Sequence, residues 1–415
     1  MSDSNGGAAR LVPAGPGSGG TATPAKALNS LTGLRFIAAI MTFLFHTGLM
    51  MSPLGPGFAT VSPFADTGAA TWYATTFAFS GYIGLSFFFV LSGFVITWSA
   101  RPTTTARSFI RRRLVKVFPN HVVMWIAVMV LFAGGVVSWR VWLPNLFLIQ
   151  SWFPTYEISQ AMNVPAWSLC AELLFYLTFP LLVRPLFKLK ARGLWIGAVA
   201  MVAGLGIYQL LVNTLVEGPP AGSPDPMSPT QYWLAYLFPV GRIFEFLTGM
   251  FVARIVAAGK WPKQVGPLVA TVIMVVAWFV ALYAPVQLAI NLITLAPIGI
   301  VIAAFATADL RGSRTGVNGK RWVFLGQISF GFYMVQIVTV FWLRGVTGGQ
   351  FSTPVAVLVL LGMAALSILG GWLLFRFVES PMMRKFGRKK TAALTAVPAP
   401  AEPKKPGEGE ERSAA

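Results

Sequence analysis

Charged residues, histidine and cysteine are all scarce in this 415-residue sequence, and each shortage excludes something. Only 11% of the residues are charged, whereas soluble domains carry about 25%, so a soluble globular fold is excluded. The single cysteine, Cys170, cannot form an internal disulfide. The sequence has no cluster of metal ligands, no Gly-rich nucleotide loop, no HExxH zinc pattern and no GxSxG elbow. We therefore expect no metal, and neither a phosphate-loop transporter nor an ordinary serine hydrolase.

Long apolar runs are what the sequence has instead. Hydrophobic residues make up 55% of the chain, and the mean hydropathy is +0.68. A run of about 18 residues or more can cross a hydrocarbon core about 30 Å thick. Ten such runs occur, at about 31–51, 77–99, 117–137, 166–187, 194–216, 232–257, 265–283, 288–307, 323–343 and 352–377. The sequence predicts an all-α polytopic membrane protein with about ten transmembrane helices.

The basic residues predict how these spans are oriented. A net charge of +19 can indicate nucleic-acid binding, but Lys and Arg in membrane proteins concentrate in cytoplasmic loops. If the N-terminus is inside, each inner loop, taken with the adjoining ends of its spans, holds three or more basic residues, whereas the outer loops hold only Arg140 and Arg344. The alternation is unbroken over ten spans. We therefore expect both termini to be cytoplasmic and no nucleic-acid partner.

The segments outside the spans define the domain organisation. Residues 1–30 are polar and rich in Gly, Ala and Pro, and they lack the apolar core of a signal peptide. Residues 389–415 likewise have the composition of a disordered tail. We expect two disordered cytoplasmic tails, 1–30 and 389–415, around one membrane domain, 31–388. The long outer loop 138–165 is predicted to contain an interfacial or re-entrant segment.

We single out five ionisable residues within the predicted spans, where burial in lipid is costly and function is the default explanation. They are Arg35, His46, Glu172, Arg242 and Glu245. Eleven residues turn a helix through about 1100° and raise it by about 16 Å, so Arg35 and His46 share one face, with Arg35 nearer the cytoplasm. This face offers either a cation and a titratable base to a ligand, or a snorkelling arginine and a hydrogen-bonded core histidine.

The other candidates are also open to two readings. Glu172 is expected at a depth similar to that of His46, where a carboxylate would raise the basicity of the imidazole and fix its tautomer. Alternatively, Tyr176, four residues further on, satisfies this carboxyl group. Arg242 and Glu245 are three residues apart and can pair with each other, an arrangement that we interpret as structural.

The stretch "RSFIRRRLVKVFPNH" is a basic cluster at the start of the third span. Such a cluster can bind anionic lipid headgroups, set the topology, or hold a phosphate-bearing cosubstrate. His121, at its end, is expected near the inner interface as an interfacial residue.

Seven short motifs occur along the chain in a defined order. They are "LTGLRFIAAIMTFLFH", "GLSFFFVLSGFVIT", "FIRRRLVKVFPNH", "AWSLCAELLFYLTFP", "GRIFEFLTGM", "LGQISFGFYMVQ" and "FRFVESPMMRK". Over residues 28–388 this series resembles the acyltransferase 3 family of integral membrane acyltransferases, beginning with its R/K-x10-H signature at Arg35 and His46. Three positions depart from the family pattern. Lys116 stands where the family has the second arginine of its R-x-x-R pair. His121 stands where the family has a tyrosine, and Gln336 stands where it has a histidine late in the sequence. Because an amide cannot take a proton near neutral pH, His46 is left as the candidate base.

The resemblance implies transfer of an acyl group, often acetyl, from acyl-CoA to a hydroxyl of a sugar, glycolipid, cell-surface polymer or secondary metabolite. It implies that His46, Glu172 and Arg35 take part in catalysis. It also implies that the CoA phosphates are bound by Arg112, Arg113, Lys116 and Arg35. The expected substrate-binding residues are Ser92, Trp167, Tyr176, Arg242, Glu245, Tyr333 and Gln336. No permanently bound cofactor is expected, since acyl-CoA is a cosubstrate. Direct attack and an acyl-histidine relay both stay open.

Two other classes of function compete with this reading. A transporter or flippase would use Arg35, His46 and Glu172 as a proton relay, although the matching halves with Gly/Pro-broken helices typical of such proteins are not apparent. An inert scaffold would leave the buried charges without a role. The composition of the tails suggests a GC-rich bacterial genome, and hence a multi-pass protein of the bacterial cell membrane.

Overall fold

The computed structural model of the chain describes residues 27–49, 62–101, 104–133, 137–223 and 225–387. Over these residues it is an all-α protein. The helices are α1 (Asn29–Leu49), α2 (Thr67–Phe77), α3 (Ser80–Trp98), α4 (Ala106–Val128), α5 (Trp139–Leu146), α6 (Tyr156–Ser159), α7 (Trp167–Lys188), α8 (Ala191–Leu215), α9 (Pro229–Tyr232), α10 (Ile243–Ala257), α11 (Pro267–Tyr283), α12 (Val286–Ala289), α13 (Leu292–Arg311), α14 (Lys320–Thr347), α15 (Thr353–Leu373) and α16 (Ser380–Met382). The predicted tail 389–415, and most of the tail 1–30, lie outside the described residues.

Eight helical segments in the described part of the chain are long and apolar enough to cross a bilayer. They are Asn29–Gly48, Thr67–Trp98, Ala106–Phe132, Val164–Lys188, Ala191–Leu215, Val286–Arg311, Lys320–Thr347 and Thr353–Gly387. The other two predicted spans correspond to the shorter helices α10 and α11. Leu215 on α8 and Leu268 on α11 are 77% and 78% exposed, which gives the bundle an apolar outer surface suited to lipid. The prediction of an all-α polytopic membrane protein is confirmed.

The centre of the bundle is built on close helix crossings at glycine. Helix α3 packs against α1 and α10, and α1 packs against α14. A Cβ on Gly93 of α3 would lie 1.9 Å from the Phe246 carbonyl oxygen, and one on Gly249 of α10 would lie 1.8 Å from the Val90 carbonyl oxygen. Small residues allow two helix backbones to touch where hydrophobic burial cannot drive association. These crossings fix the axial offset of α3 relative to α10.

The predicted interfacial or re-entrant segment is helical and folds back onto α4. Trp125 donates from Nε1 to the Trp142 carbonyl oxygen (3.2 Å), and His121 Nε2 is hydrogen-bonded to the Asn145 carbonyl oxygen (2.9 Å). His121 is fully buried, so the expectation of an interfacial histidine was wrong. The reason is that α5 lies against α4 and covers the imidazole.

Candidate active site

His46 lines a cavity of about 250 Å³ near the C-terminal end of α1. Half of the lining residues are aromatic, and five of these carry a phenol hydroxyl. Its aromatic members are Phe45, Tyr82, Tyr156, Trp167, Tyr232, Tyr236 and Tyr333. Burial raises the pKa of Tyr156, and the neighbouring Glu157 carboxylate raises it further, so this phenol stays neutral. We call this space the His46 cavity.

The imidazole of His46 is held by its neighbours rather than by a carboxylate. The ring centroid lies 5.5 Å from that of Phe45. The Gln336 side chain is next to the imidazole and donates from Nε2 to Thr42 Oγ1 (3.3 Å). Gln336 Oε1 and His46 Nδ1 are both buried without a hydrogen-bond partner. A hydrogen bond from Nδ1–H to this amide oxygen would leave the Nε2 lone pair free.

Arg35 lies in a second, smaller cavity of about 90 Å³. It is lined by Arg35, Phe88, Leu91, Ser92, Val95, Ile96, Arg113, Lys116, Val117, Glu172, Tyr176 and Phe330. Three cations and one carboxylate therefore face a single space. The Arg113 guanidinium lies over the rings of Phe109 and Tyr176, at 5.4 and 5.9 Å from their centroids. We call this space the Arg35 cavity.

Glu172 belongs to the Arg35 cavity and does not line the His46 cavity. Its Oε2 accepts a hydrogen bond from the Tyr176 hydroxyl (2.6 Å). The expected similarity in depth to His46 is thus not found, because Trp167, at the start of α7, already lies at the level of His46. Glu172 is five residues further along α7, a rise of about 7.5 Å. The structure therefore shows the other expected arrangement, in which Tyr176 forms a hydrogen bond to the Glu172 carboxyl group.

A third cavity, of about 290 Å³, extends the Arg35 cavity away from His46. It shares Ile96, Arg113 and Lys116 with the Arg35 cavity and adds Arg101 and Arg112. We call it the Arg101 cavity. None of the cations Arg35, Arg101, Arg112, Arg113 and Lys116 forms an ion pair with a carboxylate among the described residues. Glu172 and Glu379 interact with Arg35 and Lys116 without forming an ion pair, so the cations outnumber the carboxylates and the region favours an anion.

Helix α3 passes all three cavities in order. Gly81, Tyr82 and Leu85 line the His46 cavity. Phe88, Leu91, Ser92, Val95 and Ile96 line the Arg35 cavity. The Arg101 cavity is lined by Ile96 and by three residues that directly follow α3, namely Ser99, Ala100 and Arg101. The cavities are therefore stacked along the axis of α3. Helix α1 follows the same order, with Arg35 in one cavity and His46 in the next, as the eleven-residue spacing predicts.

Arg242 and Glu245 line none of these three cavities. Arg242 Nη2 and Glu245 Oε1 are 2.9 Å apart, and both side chains are fully buried. The Arg242 guanidinium lies 4.6 Å from the centroid of the Tyr236 ring, which forms part of the wall of the His46 cavity. The pair therefore lies behind the wall of the His46 cavity, and neither residue lines it, although both are expected to bind substrate.

Several residues at the site are not among those predicted from the sequence. Glu379 is buried at the end of a π-helical turn, Leu374–Glu379. It accepts a hydrogen bond from Asn120 Nδ2 (3.2 Å), and its charge interacts with those of Arg35 and Lys116. The predicted span ends at 377, which places Glu379 outside it. In the aromatic wall, Tyr82, Tyr232 and Tyr236 lie in no motif that would have pointed to them.

In the described part of the chain no group of three or more His, Cys, Asp or Glu residues could hold a metal ion.

The chain is similar to a known protein family over most of its length. The family described as "Acyltransferase domain" matches residues 28–376. The chain is similar to Acyltransferase MdmB of Streptomyces mycarofaciens, with 35% identity over 389 residues, 90% of this chain and 96% of that one. A shorter match, 31% identical over 137 residues, covers 28% of this chain and 37% of Nodulation protein 10 of Rhizobium leguminosarum bv. viciae. No solved structure matches the chain significantly.

Proposed function

This chain belongs to the acyltransferase 3 family, and from that premise we propose that it transfers an acyl group, acetyl in the first instance, from acyl-CoA to a hydroxyl of an acceptor, with His46 as general base. The observation that carries this proposal is the stacking of the cavities. A cation-lined space suited to phosphates leads along α1 and α3 to the imidazole.

The donor would bind from the end of the bundle that carries Arg101. Phosphates of CoA would contact Arg112, Arg113 and Lys116, since charge-assisted hydrogen bonds to phosphate are strong. The pantetheine arm would then extend through the Arg35 cavity toward His46. By the distribution of Lys and Arg this end of the bundle is cytoplasmic, where acyl-CoA is made.

In the chemical step His46 Nε2 would accept the proton of the acceptor hydroxyl. The oxygen then bonds to the acyl carbon, the C–S bond breaks, and the proton passes to the CoA thiolate. A positioned base of this kind contributes about 10²–10⁴-fold to a rate. Gln336, rather than Glu172, would orient the imidazole, because the Gln336 side chain is next to His46 and Glu172 does not line the His46 cavity.

The acceptor would enter from the opposite face of the membrane. The His46 cavity is lined by Tyr156, Gln160 and Val164, which belong to the loop predicted to be outside. This favours a cell-envelope glycan or glycolipid over a metabolite met in the cytoplasm. The tyrosine hydroxyls of the wall suit an acceptor rich in hydroxyl groups. The location would then be the bacterial cell membrane.

Release of CoA thiol tests the proposal. Purified protein in detergent is mixed with acetyl-CoA and the envelope fraction of a deletion strain, and free thiol is followed with a chromogenic reagent. Cys170 is buried, so it adds little background. We expect His46→Ala to slow thiol release at least 100-fold, on the scale of a lost general base. The control, His121→Gln, changes the other histidine and should retain turnover. An unchanged rate in His46→Ala would exclude His46 as the base.

A further inference from the structure

The boundary between the His46 cavity and the Arg35 cavity is thin, and two aromatic rings form it. On α3, Leu85 lines the His46 cavity and Phe88 lines the Arg35 cavity. On α14, Tyr333 lines the His46 cavity and Phe330 the Arg35 cavity. On both helices the change occurs over three residues, a rise of about 4.5 Å. The partition is therefore about one helical turn thick.

Phe88 and Tyr333 meet across this partition. Their ring centroids are 6.0 Å apart and the ring planes are inclined by 54°. One ring faces each cavity, so the direct path along α3 and α14 from the Arg35 cavity to His46 passes between these two rings. Among the described residues, this is the aromatic pair whose two members line the two different cavities.

The two rings differ in how firmly they are held. The Tyr333 hydroxyl is within 3.0 Å of Ser168 Oγ and donates to the Pro165 carbonyl oxygen at 3.0 Å, and Tyr333 is 6% exposed. Phe88 has no polar group to anchor it and is only half-buried. Of the two rings, Phe88 is therefore the less firmly held, while the Tyr333 hydroxyl fixes the other ring in place.

We propose that Phe88 and Tyr333 form the constriction through which the acyl thioester reaches His46, and that the Phe88 side chain determines how large an acyl group is transferred. This rests on the proposed function, since it assumes that the donor enters through the Arg35 cavity. Phe88 also separates the thioester from water in the His46 cavity until an acceptor is bound. Hydrolysis through an opened constriction would join a water oxygen to the acyl carbon, break the C–S bond, and release a carboxylic acid and CoA thiol.

The test compares donors of increasing chain length. Isotope-labelled acetyl-, butanoyl- and hexanoyl-CoA are supplied with the envelope fraction of a deletion strain, and incorporated label is measured for wild type, Phe88→Ala and Phe88→Leu. A misfit of one or a few methylenes in a pocket changes specificity about 10–200-fold. We expect Phe88→Ala to raise the ratio of hexanoyl to acetyl transfer at least about tenfold, and Phe88→Leu to give an intermediate ratio. Thiol release without acceptor should rise in Phe88→Ala.

The control is Phe279→Ala on α11, which removes a ring that is 60% exposed on the outside of the bundle. A merely structural role of Phe88 would lower transfer from all three donors alike, and an unchanged chain-length ratio in Phe88→Ala overturns the proposal. If Phe88→Ala does not fold, the ratio in Phe88→Leu decides in the same way. Absence of label from every donor with the wild-type protein would instead contradict the proposed function.

Discussion

Replacing Lys116 by glutamine should weaken binding of the donor without changing the chemical step. Lys116 lines both the Arg35 and the Arg101 cavity, so in our proposal it contacts a phosphate and not the thioester. A hydrogen bond to a charged group contributes about 1.5–3 kcal/mol, which at 1.4 kcal/mol per factor of ten corresponds to about 10–100-fold in affinity. Arg35 and Arg113 share the same space and compensate in part. We therefore expect KM for acetyl-CoA to rise about tenfold, with kcat within about twofold.

A truncated donor makes this prediction sharper. Acetyl-pantetheine carries the same thioester but lacks the nucleotide and its phosphates. Wild-type protein and Lys116→Gln should use it equally poorly, because the lost interaction has no partner on this donor. Lys190→Gln, in the exposed turn between α7 and α8, is the matched control and should behave as wild type with both donors. If Lys116→Gln impaired both donors to the same extent, the phosphate contact would be refuted and Lys116 would be acting through the fold.

Two further predictions concern the packing that supports the site, and both can be measured by thermal unfolding in detergent with a dye that reacts with Cys170 on exposure. Gly249→Ala places a methyl group 1.8 Å from a backbone carbonyl of α3, and we expect it to destabilise the protein by about 1–3 kcal/mol or more. Gly345→Ala, with nothing within 4 Å of the added carbon, should be neutral, and equal behaviour of the two would contradict the close crossing. Glu245→Gln leaves the buried Arg242 without its counter-ion, at a cost of about 3–5 kcal/mol. Replacing both residues by Met and Leu should recover most of that loss, and failure to recover would mean that the pair does more than satisfy its own charges.

Much of the fold is predictable because its causes are local. Apolar runs longer than a bilayer is thick predict the spans, and all ten correspond to helices of the structure. The limits of this reasoning appear at α10, where Pro239 and a 3₁₀ turn at Pro239–Arg242 interrupt the predicted span 232–257. They appear again at Glu379, where a π-helical turn extends the last span and turns an apparent loop residue into a buried one.

The sequence by itself determined where the long apolar helices lie and that Arg35 and His46 share one face of α1, because apolar runs and helical periodicity depend only on the local sequence. It also contained the seven motifs of the family. Only the tertiary structure decided that Glu172 belongs with Arg35, that Gln336 is next to His46, and that Phe88 meets Tyr333. Each of these contacts joins residues on different helices, and their relative depth is set by close crossings such as the one at Gly93 and Gly249. Axial offset between helices is a property of packing between distant parts of the chain, so no single stretch of sequence encodes it.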